Sequence, residues 1–265
     1  MLKLHHTDLG GAGKPPMIVL HGMLGSSRNW QTTGRDLAGS TGSPPGSGYH
    51  VFALDARNHG QSPHAPEMNY RVLADDIIAW MDARGMPKAA LVGHSMGGKT
   101  AMLLACRHPN RVQRLVVVDI APKDYHWPAH RGEFAAMNEL DLASLQSRQE
   151  AEMRFEARVS SHGMRKFLTT NLERDDGGGW RWTVNLPVLT EALPAMEKNS
   201  LAPGDRFAGP TLFIAGGRSH YVQAGDHAVI RRHFPAARIE VIADSGHNPH
   251  MDRREEFVRL VRDHL

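Results

Sequence analysis

Short apolar runs alternate with longer amphipathic stretches along most of the 265-residue chain. The stretch YRVLADDIIAWMDARG, residues 70–85, forms one mostly apolar stripe at helical spacing, made of Val72, Leu73, Asp76, Ile77 and Trp80. The apolar runs have the length of strands, and the candidates are PMIVLHG (16–22), HVFALD (50–55), AALVGHS (89–95), RLVVVDI (114–120), PTLFIAG (210–216) and RIEVIAD (238–244). This alternation predicts an α/β fold in which helices cover both faces of a mostly parallel sheet.

Two segments interrupt the alternation. Residues 39–48, GSTGSPPGSG, are rich in glycine, serine and proline, which is typical of a surface loop. Between about residues 122 and 205 no convincing strand is found, whereas LDLASLQSRQEAEMRFEARV and GMRKFLTTNLER have helical periodicity. We therefore predict a core domain of residues 1–121 and 206–265 with a helical lid, residues 122–205, inserted into it.

The charge of the chain indicates which kinds of partner it is not expected to bind. The 31 Lys and Arg residues against 28 Asp and Glu residues give a formal charge of +3. Because the basic residues are spread along the chain, we expect no nucleic-acid or membrane partner.

The chain contains no apolar stretch of the roughly 20 residues that a spanning helix requires, and its N-terminal residues lack the apolar run of a signal peptide. The single cysteine, Cys106, fits a reducing compartment, so a cytoplasmic location is predicted.

The stretch GHSMGGKT, residues 93–100, matches two unrelated motifs. As a phosphate loop it would use Lys99 for the phosphates and Thr100 for magnesium, and Asp119 could complete the magnesium site. As the G-x-S-x-G nucleophile elbow it would expose the hydroxyl of Ser95 at a tight strand-to-helix turn. The elbow is favoured because it also accounts for two earlier strand ends, VLHGMLGS and ALDARNHGQS, which a phosphate loop leaves unexplained.

Four motifs, HGMLGSSRNW, DARNHGQSPH, GHSMGG and DSGHNPH, occur in this order over nearly the whole chain. Together they resemble the α/β-hydrolase superfamily. Within it, GHSMGGKTAM followed by VVVDIAPKDY and GGRSHYV is most similar to the bacterial YbfF-type esterases. The resemblance implies a mostly parallel eight-stranded sheet with helices on both faces and a helical lid.

A serine hydroxyl is a poor nucleophile at neutral pH unless a base removes its proton, and histidine has the pKa for that task. Of 17 histidines, His247 lies in the loop DSGHNPH between the last strand candidate and the C-terminal helix. From there its side chain could reach over the edge of the sheet toward Ser95. His94 and His250 are expected to pack as structural neighbours.

Two acids compete to orient the histidine. Asp226 has the pattern of a helix-start residue, whereas Asp119 ends an apolar strand, where an unpaired carboxylate would be costly. We favour Asp119 and expect His247 to be its partner. The resemblance to YbfF-type esterases also places the acid after this strand and a serine, here Ser219, in the later loop as a possible fourth member; a simple turn serine is the alternative.

Backbone amides are expected to stabilise the oxyanion of an acyl-transfer reaction. The residue after the nucleophile, Met96, supplies one N–H, and Met23 in HGMLG is expected to supply the other, with Leu24 as the fallback. We expect the substrate pocket to be lined by Leu24, Trp127, Phe167 and Trp182. The polar residues of DARNHGQS are expected to brace loops, and Cys106 to be packed.

The predicted function is a serine hydrolase that cleaves short- to medium-chain acyl esters through an acyl-enzyme, with a small-molecule ester as partner. The same groups can cleave thioesters, amides or carbon–carbon bonds, and a non-catalytic small-ligand receptor could retain them. A nucleotide hydrolase is the remote alternative. Neither a metal nor an organic cofactor is predicted, because HHTD, HNPH and NHGQSPH lack the paired spacing of zinc ligands on one helix.

Overall fold

A computed structural model describes residues 2–39 and 48–264. The strands in these residues are, in chain order, β1 (His6–Asp8), β2 (Pro16–Leu20), β3 (His50–Leu54), β4 (Ala89–His94), β5 (Val112–Val118), β6 (Leu172–Arg174), β7 (Trp180–Trp182), β8 (Thr211–Gly216) and β9 (Ala237–Ile242). A central sheet has the order β1-β3-β2-β4-β5-β8-β9, in which β1 is antiparallel and the other strands are parallel to one another. β6 and β7 pair as a separate antiparallel hairpin.

The helices of the described residues are α1 (Gln31–Leu37), α2 (Tyr70–Asp82), α3 (Met96–Arg107), α4 (Pro128–Glu139), α5 (Arg148–Arg154), α6 (His162–Thr169), α7 (Leu186–Glu197), α8 (His227–His233), α9 (Pro249–Asp252) and α10 (Arg254–His264). The helix predicted from the apolar stripe is α2, and the side chain of Asn69 caps its start by accepting the Val72 N–H at 3.0 Å. Of the helices described, none combines the length and the apolarity needed to cross a bilayer.

Alternate side chains of the central strands pack on opposite faces of the sheet. On one face, Met17 and Val92 belong to a buried cluster that includes residues of α1 and α10. On the other face, Ile18, Leu91 and Leu115 pack in the larger cluster with residues of α2 and α3. Because helices cover both faces of the sheet, the sequences of the buried strands are nearly continuous apolar runs. The predicted fold class is confirmed.

All six strand candidates are strands of the central sheet. The expected number of eight strands is wrong for the described residues, where the sheet has seven. The seventh, β1, is only three residues long, too short to produce a periodic pattern, and the eighth was expected from the family resemblance alone. The segment predicted as a surface loop, residues 39–48, lies outside the described residues except for its two ends.

The segment between β5 and β8 contains α4 to α7, of which α5 and α6 overlap the two stretches with predicted helical periodicity, but it also contains the hairpin of β6 and β7. The expectation that it holds no strand is therefore wrong. Its strands have three residues each and are joined by a turn in which the Asp175 carboxylate accepts the N–H groups of Gly177 and Gly179, at 2.9 and 2.8 Å. Such short strands leave no detectable period. The stretch GMRKFLTTNLER was predicted as helix throughout, but its helix ends at Thr169 and its last three residues form β6.

The parallel strands bring distant parts of the chain to one edge of the sheet. Ser95 follows β4 directly and Asp119 follows β5 directly, and these two strands are neighbours. The loops after β2, β8 and β9 carry Met23, Ser219 and His247 to the same edge. In open α/β sheets this carboxyl edge is where ligands bind.

Candidate active site

Ser95 sits at a sharp turn between β4 and α3, with φ 52° and ψ −115°. A non-glycine residue in this region of conformational space is strained and is held there by its surroundings. Its N–H donates to the Val118 carbonyl at 3.1 Å. The two glycines of the motif are required by close contacts, since a Cβ on Gly93 would lie 2.3 Å from the Gly97 carbonyl oxygen and one on Gly97 would lie 2.6 Å from that of Leu20. The turn thus has the geometry of a nucleophile elbow.

The carboxylate of Asp119 is fully buried and accepts three hydrogen bonds. His247 Nδ1 lies 2.7 Å from Oδ2, the Gly216 N–H donates to Oδ1 at 2.9 Å, and the Ser219 hydroxyl donates to Oδ2. These donors offset the cost of burying the charge. Because His247 donates its Nδ1–H to the carboxylate, the neutral ring carries its lone pair on Nε2.

The other candidate acid, Asp226, lies in a different environment. Its Oδ2 atom is 2.6 Å from Nζ of Lys123 and accepts the Gln223 N–H at 2.8 Å. It therefore stabilises the start of the turn Ala224–Asp226, just before α8, and pairs with a lysine. Asp119, and not Asp226, contacts the histidine.

Ser95 and His247 line the same cavity, which has a volume of about 390 Å³. The core contributes further residues from the loop after β2. The segment between β5 and β8 supplies the opposite wall through α4 and α6, including His130, Glu133 and Phe167. Of the four expected pocket residues, Phe167 alone is among the residues that line this cavity.

Leu24, Trp127 and Trp182 lie elsewhere, which corrects that part of the expectation. The Leu24 N–H donates to His59 Nε2 at 3.2 Å and its carbonyl accepts from Asn171 Nδ2 at 3.0 Å. Its amide is therefore engaged and does not serve as the fallback oxyanion donor. Trp127 and Trp182 pack in or against the larger hydrophobic core. An apolar pattern shows that a residue is buried but not which surface it covers.

Of the two expected oxyanion donors, Met96 directly follows the nucleophile and Met23 lines the same cavity as Ser95. Met96 is the first residue of α3, so its N–H belongs to the first turn, whose amides have no partner within the helix and lie at the positive end of the helix dipole. The next amide, that of Gly97, already donates to the His21 carbonyl at 3.1 Å. Met23 lines the cavity directly beside Gly22, in the loop after β2.

His94 and His250 are buried neighbours of His247, as expected. His94 Nε2 donates to the His247 carbonyl at 2.7 Å, and the His94 ring lies 4.7 Å from that of His247. Burial, together with nearby His247 and His250, holds the pKa of His94 well below 6.5. His250 stacks on Trp30 at 4.4 Å, and burial lowers its pKa to about 3. Both rings are neutral at neutral pH and support the loop that carries His247.

The polar residues of DARNHGQS brace loops, in agreement with the sequence analysis. The Asp55 carboxylate accepts the N–H groups of Ser27 and Gln61 at 2.6 and 2.8 Å. The Arg57 guanidinium donates two hydrogen bonds to Asp76, at 2.6 and 2.7 Å. Three further residues were expected to be structural, namely His59, Gly60 and Ser62; all are hydrogen-bonded or in close contact within this loop.

The sequence analysis missed Tyr221, whose ring stacks on His247 with a centroid distance of 3.8 Å and an angle of 17°. The Tyr221 carbonyl accepts the hydroxyl of Tyr125 at 2.7 Å. That hydroxyl also accepts the Ala121 N–H, two residues after Asp119, at 2.8 Å. The loop after β8 is thus tied to the loop after β5. A tyrosine in an irregular loop carries no periodic pattern, although it is part of the motif GGRSHYV.

Lys99 is fully buried in the first turns of α3. Its Nζ donates to the carbonyls of Glu197 and Lys198, at the C-terminal end of α7, at 3.3 and 2.5 Å. Three aromatic rings surround the ammonium within 5.0 to 5.6 Å, those of Tyr125, Tyr70 and Trp127. Burial lowers the pKa of Lys99 to about 7. This side chain joins the helix after the elbow to the segment between β5 and β8.

These contacts contradict the phosphate-loop interpretation of GHSMGGKT. Lys99 is occupied by two carbonyls and enclosed by aromatic rings, and Thr100 Oγ1 donates to the Met96 carbonyl at 2.9 Å. Both side chains are buried and cannot reach a nucleotide. Asp119, the expected magnesium ligand, is bonded to His247. In the part of the chain that the structure describes, no group of three or more His, Cys, Asp or Glu residues is placed to hold a metal ion.

Replacing Lys99 by alanine is expected to lower the free energy of unfolding by about 2 kcal/mol, because a cavity opens between the rings and two carbonyls lose their donor. The matched control is Lys198→Ala, since that side chain is 70% exposed and pairs with Asp124 on the surface. The control should change the stability by less than about 1 kcal/mol. Urea unfolding of both variants checks this, and equal losses would contradict the role given to Lys99.

Comparison with known proteins agrees with this geometry. The family model described as the alpha/beta hydrolase fold matches residues 15–254. Esterase YbfF of Escherichia coli is 36% identical over 250 residues, covering 94% of this chain and 92% of that protein, which confirms the resemblance seen in the motifs. The mouse sn-1-specific diacylglycerol lipase ABHD11 is 39% identical over 263 residues, covering 97% of this chain and 82% of the lipase. A solved structure titled marine microorganism esterase superposes with a TM-score of 0.93 at 30% identity and covers both chains completely. The chain therefore belongs to the α/β-hydrolase fold family.

Proposed function

We propose that the protein is a carboxylic ester hydrolase that works through an acyl-enzyme on Ser95. The observation that carries the proposal is the shared cavity. It holds a serine on a strained turn and a histidine whose Nδ1 is bonded to the buried carboxylate of Asp119. The names of the esterase and lipase relatives support ester bonds as the substrate class.

In the first half-reaction, Ser95 Oγ attacks the ester carbonyl while His247 Nε2 takes the hydroxyl proton. Asp119 keeps the imidazole in the required tautomer and stabilises its protonated form. The N–H groups of Met96 and Met23 donate to the oxygen that becomes negatively charged, a contribution on the order of 3 kcal/mol for each donor.

In the second part of the cycle, the imidazolium gives its proton to the departing alcohol. A water molecule then attacks the acyl group, with His247 again as the base, and the free serine is restored. The Ser219 hydroxyl and the Gly216 N–H, which both donate to Asp119, fix the position of the carboxylate that contacts the imidazole.

Residues 122–205 act in this proposal as a lid over the site. They contribute one wall of the cavity. Lys99 fastens them to the core, and so do two further hydrogen bonds, from the Tyr70 hydroxyl to the Met196 carbonyl at 2.6 Å and from Asn171 to Leu24. A cavity of about 390 Å³ suits a short or medium acyl chain. The cytoplasmic location stays a prediction that depends on the single cysteine.

A fluorophosphonate probe tests the proposal, because it reacts with an activated serine. We expect stoichiometric labelling, and peptide mapping should place the label on the peptide that contains Ser95. In parallel, p-nitrophenyl esters from acetate to palmitate should be turned over best at short or medium chain length. Labelling elsewhere, or a protein that binds esters tightly without turnover, would contradict the proposal and favour a receptor.

A further inference from the structure

One polar pair in the cavity wall has no part in the acyl-transfer steps. His130 and Glu133 lie one turn apart on α4, and both line the cavity that contains Ser95 and His247. His130 Nδ1 is 2.5 Å from Glu133 Oε2. Their side chains are only 14% and 6% exposed. The site therefore contains a second carboxylate, that of Glu133, in addition to the Asp119 carboxylate that contacts His247.

The pair is built to present one carboxylate oxygen to the cavity. The rings of His130 and Trp127 pack edge to face at a centroid distance of 5.3 Å, which holds the imidazole in place, and the imidazole in turn holds the carboxylate of Glu133. Within residues 2–39 and 48–264, Oε1 of Glu133 has no hydrogen-bond partner. Burying a carboxylate is costly unless its oxygens are paired, so a donor from a bound molecule would complete this group.

Glu133 and His247 line the same cavity, which bears on the part of an ester that Glu133 can meet. Burial, then the nearby Glu133 carboxylate, then Asp119 raise the pKa of Tyr221 to about 12, which places Glu133 within electrostatic reach of that phenol. Tyr221 stacks directly on His247. In the proposed reaction His247 protonates the leaving alcohol, so a carboxylate that shares the cavity with His247 can meet the alcohol part of the ester.

We propose that Glu133, oriented by His130, selects esters whose alcohol part carries a second hydroxyl group. The hydroxyl donates to the carboxylate, whereas a negatively charged group at the same place is repelled. This inference rests on the proposed ester hydrolysis and adds its substrate class. Glu133 binds substrate and takes no part in proton transfer to the reacting atoms.

Three butyrate esters of equal length test it. They are 3-hydroxypropyl butyrate, butyl butyrate and 2-carboxyethyl butyrate, which end the alcohol in a hydroxyl, a methyl and a carboxylate group. Wild-type protein should show a kcat/KM for the hydroxyl ester roughly tenfold above that for the methyl ester, the size of one hydrogen bond to a charged group. The carboxylate ester should be the poorest of the three.

Glu133→Gln keeps the shape of the side chain and removes its charge. It should lower kcat/KM for the hydroxyl ester by roughly fivefold to tenfold, leave the methyl ester within about twofold, and raise the value for the carboxylate ester. Glu139→Gln, on the same helix but paired with Arg158 on the surface, is the matched control and should change none of the three. A folding defect lowers all three values together and cannot produce changes of opposite sign.

The outcomes separate the two proposals. If wild-type protein hydrolyses none of the three esters, nor p-nitrophenyl butyrate, the proposed function fails. If it hydrolyses the esters but has no preference for the hydroxyl ester over the methyl ester, or if Glu133→Gln changes all three equally, the assignment of Glu133 is overturned while the proposed function stands. The wild-type preference is measured without any variant, so the inference can fail even where Glu133→Gln does not fold.

Discussion

Ser95→Ala is expected to lower kcat/KM for p-nitrophenyl butyrate on the order of 10⁴-fold or more, because the acyl-enzyme can no longer form. The oxyanion donors and the binding cavity would remain, so a small residual rate above that of water is also expected. Steady-state kinetics of the purified variant measures the loss. Labelling by the fluorophosphonate probe should disappear in parallel, which links the kinetic effect to one hydroxyl.

The matched control is Ser161→Ala. Ser161 lines the same cavity, where its hydroxyl caps α6 by accepting the Met164 N–H at 3.3 Å. Loss of this cap should cost about 1 kcal/mol of stability, and activity should stay within a few fold of the wild type. Substantial ester turnover by Ser95→Ala, with the thermal midpoint unchanged, would remove the basis of the proposed function.

Asp119→Asn is expected to lower kcat by about 10⁴-fold while KM changes little. Both carboxylate oxygens receive donors in the wild type. The Gly216 N–H on Oδ1 can only donate, whereas the Ser219 hydroxyl on Oδ2, the oxygen that faces His247, can also accept. The amide of asparagine would therefore direct its NH₂ group toward Nδ1 of His247. The ring would then carry its proton on Nε2, which is the tautomer that cannot accept the Ser95 proton.

Asp226→Asn is the control that separates the two candidate acids. It weakens one ion pair with Lys123, whose side chain is 30% exposed, and should change the stability by at most about 1 kcal/mol. Its kcat should remain within about threefold of the wild type, because Asp226 acts on a helix start and not on the imidazole. A large loss in Asp226→Asn together with near-normal activity in Asp119→Asn would reverse the assignment.

Much of the fold could be predicted from local patterns. The six longer strands of the sheet and helix α2 were identified because burial on both faces makes a strand continuously apolar and burial on one face gives a helix a stripe. The elbow was identifiable because a strained turn with close backbone contacts tolerates only glycine at Gly93 and Gly97. The hairpin of β6 and β7 was missed because three-residue strands are shorter than any detectable period.

The sequence by itself determined which residues end the strands of a parallel sheet, and hence that Ser95, Asp119 and His247 could meet at one edge. Only the tertiary structure decided between Asp119 and Asp226, since the first lies 2.7 Å from a histidine 128 positions away and the second pairs with Lys123. It likewise decided that Lys99 is enclosed by aromatic rings and that Glu133, not Trp127 or Trp182, lines the cavity. Local periodicity reports how deeply a side chain is buried, whereas its partners depend on how elements far apart in the chain pack together.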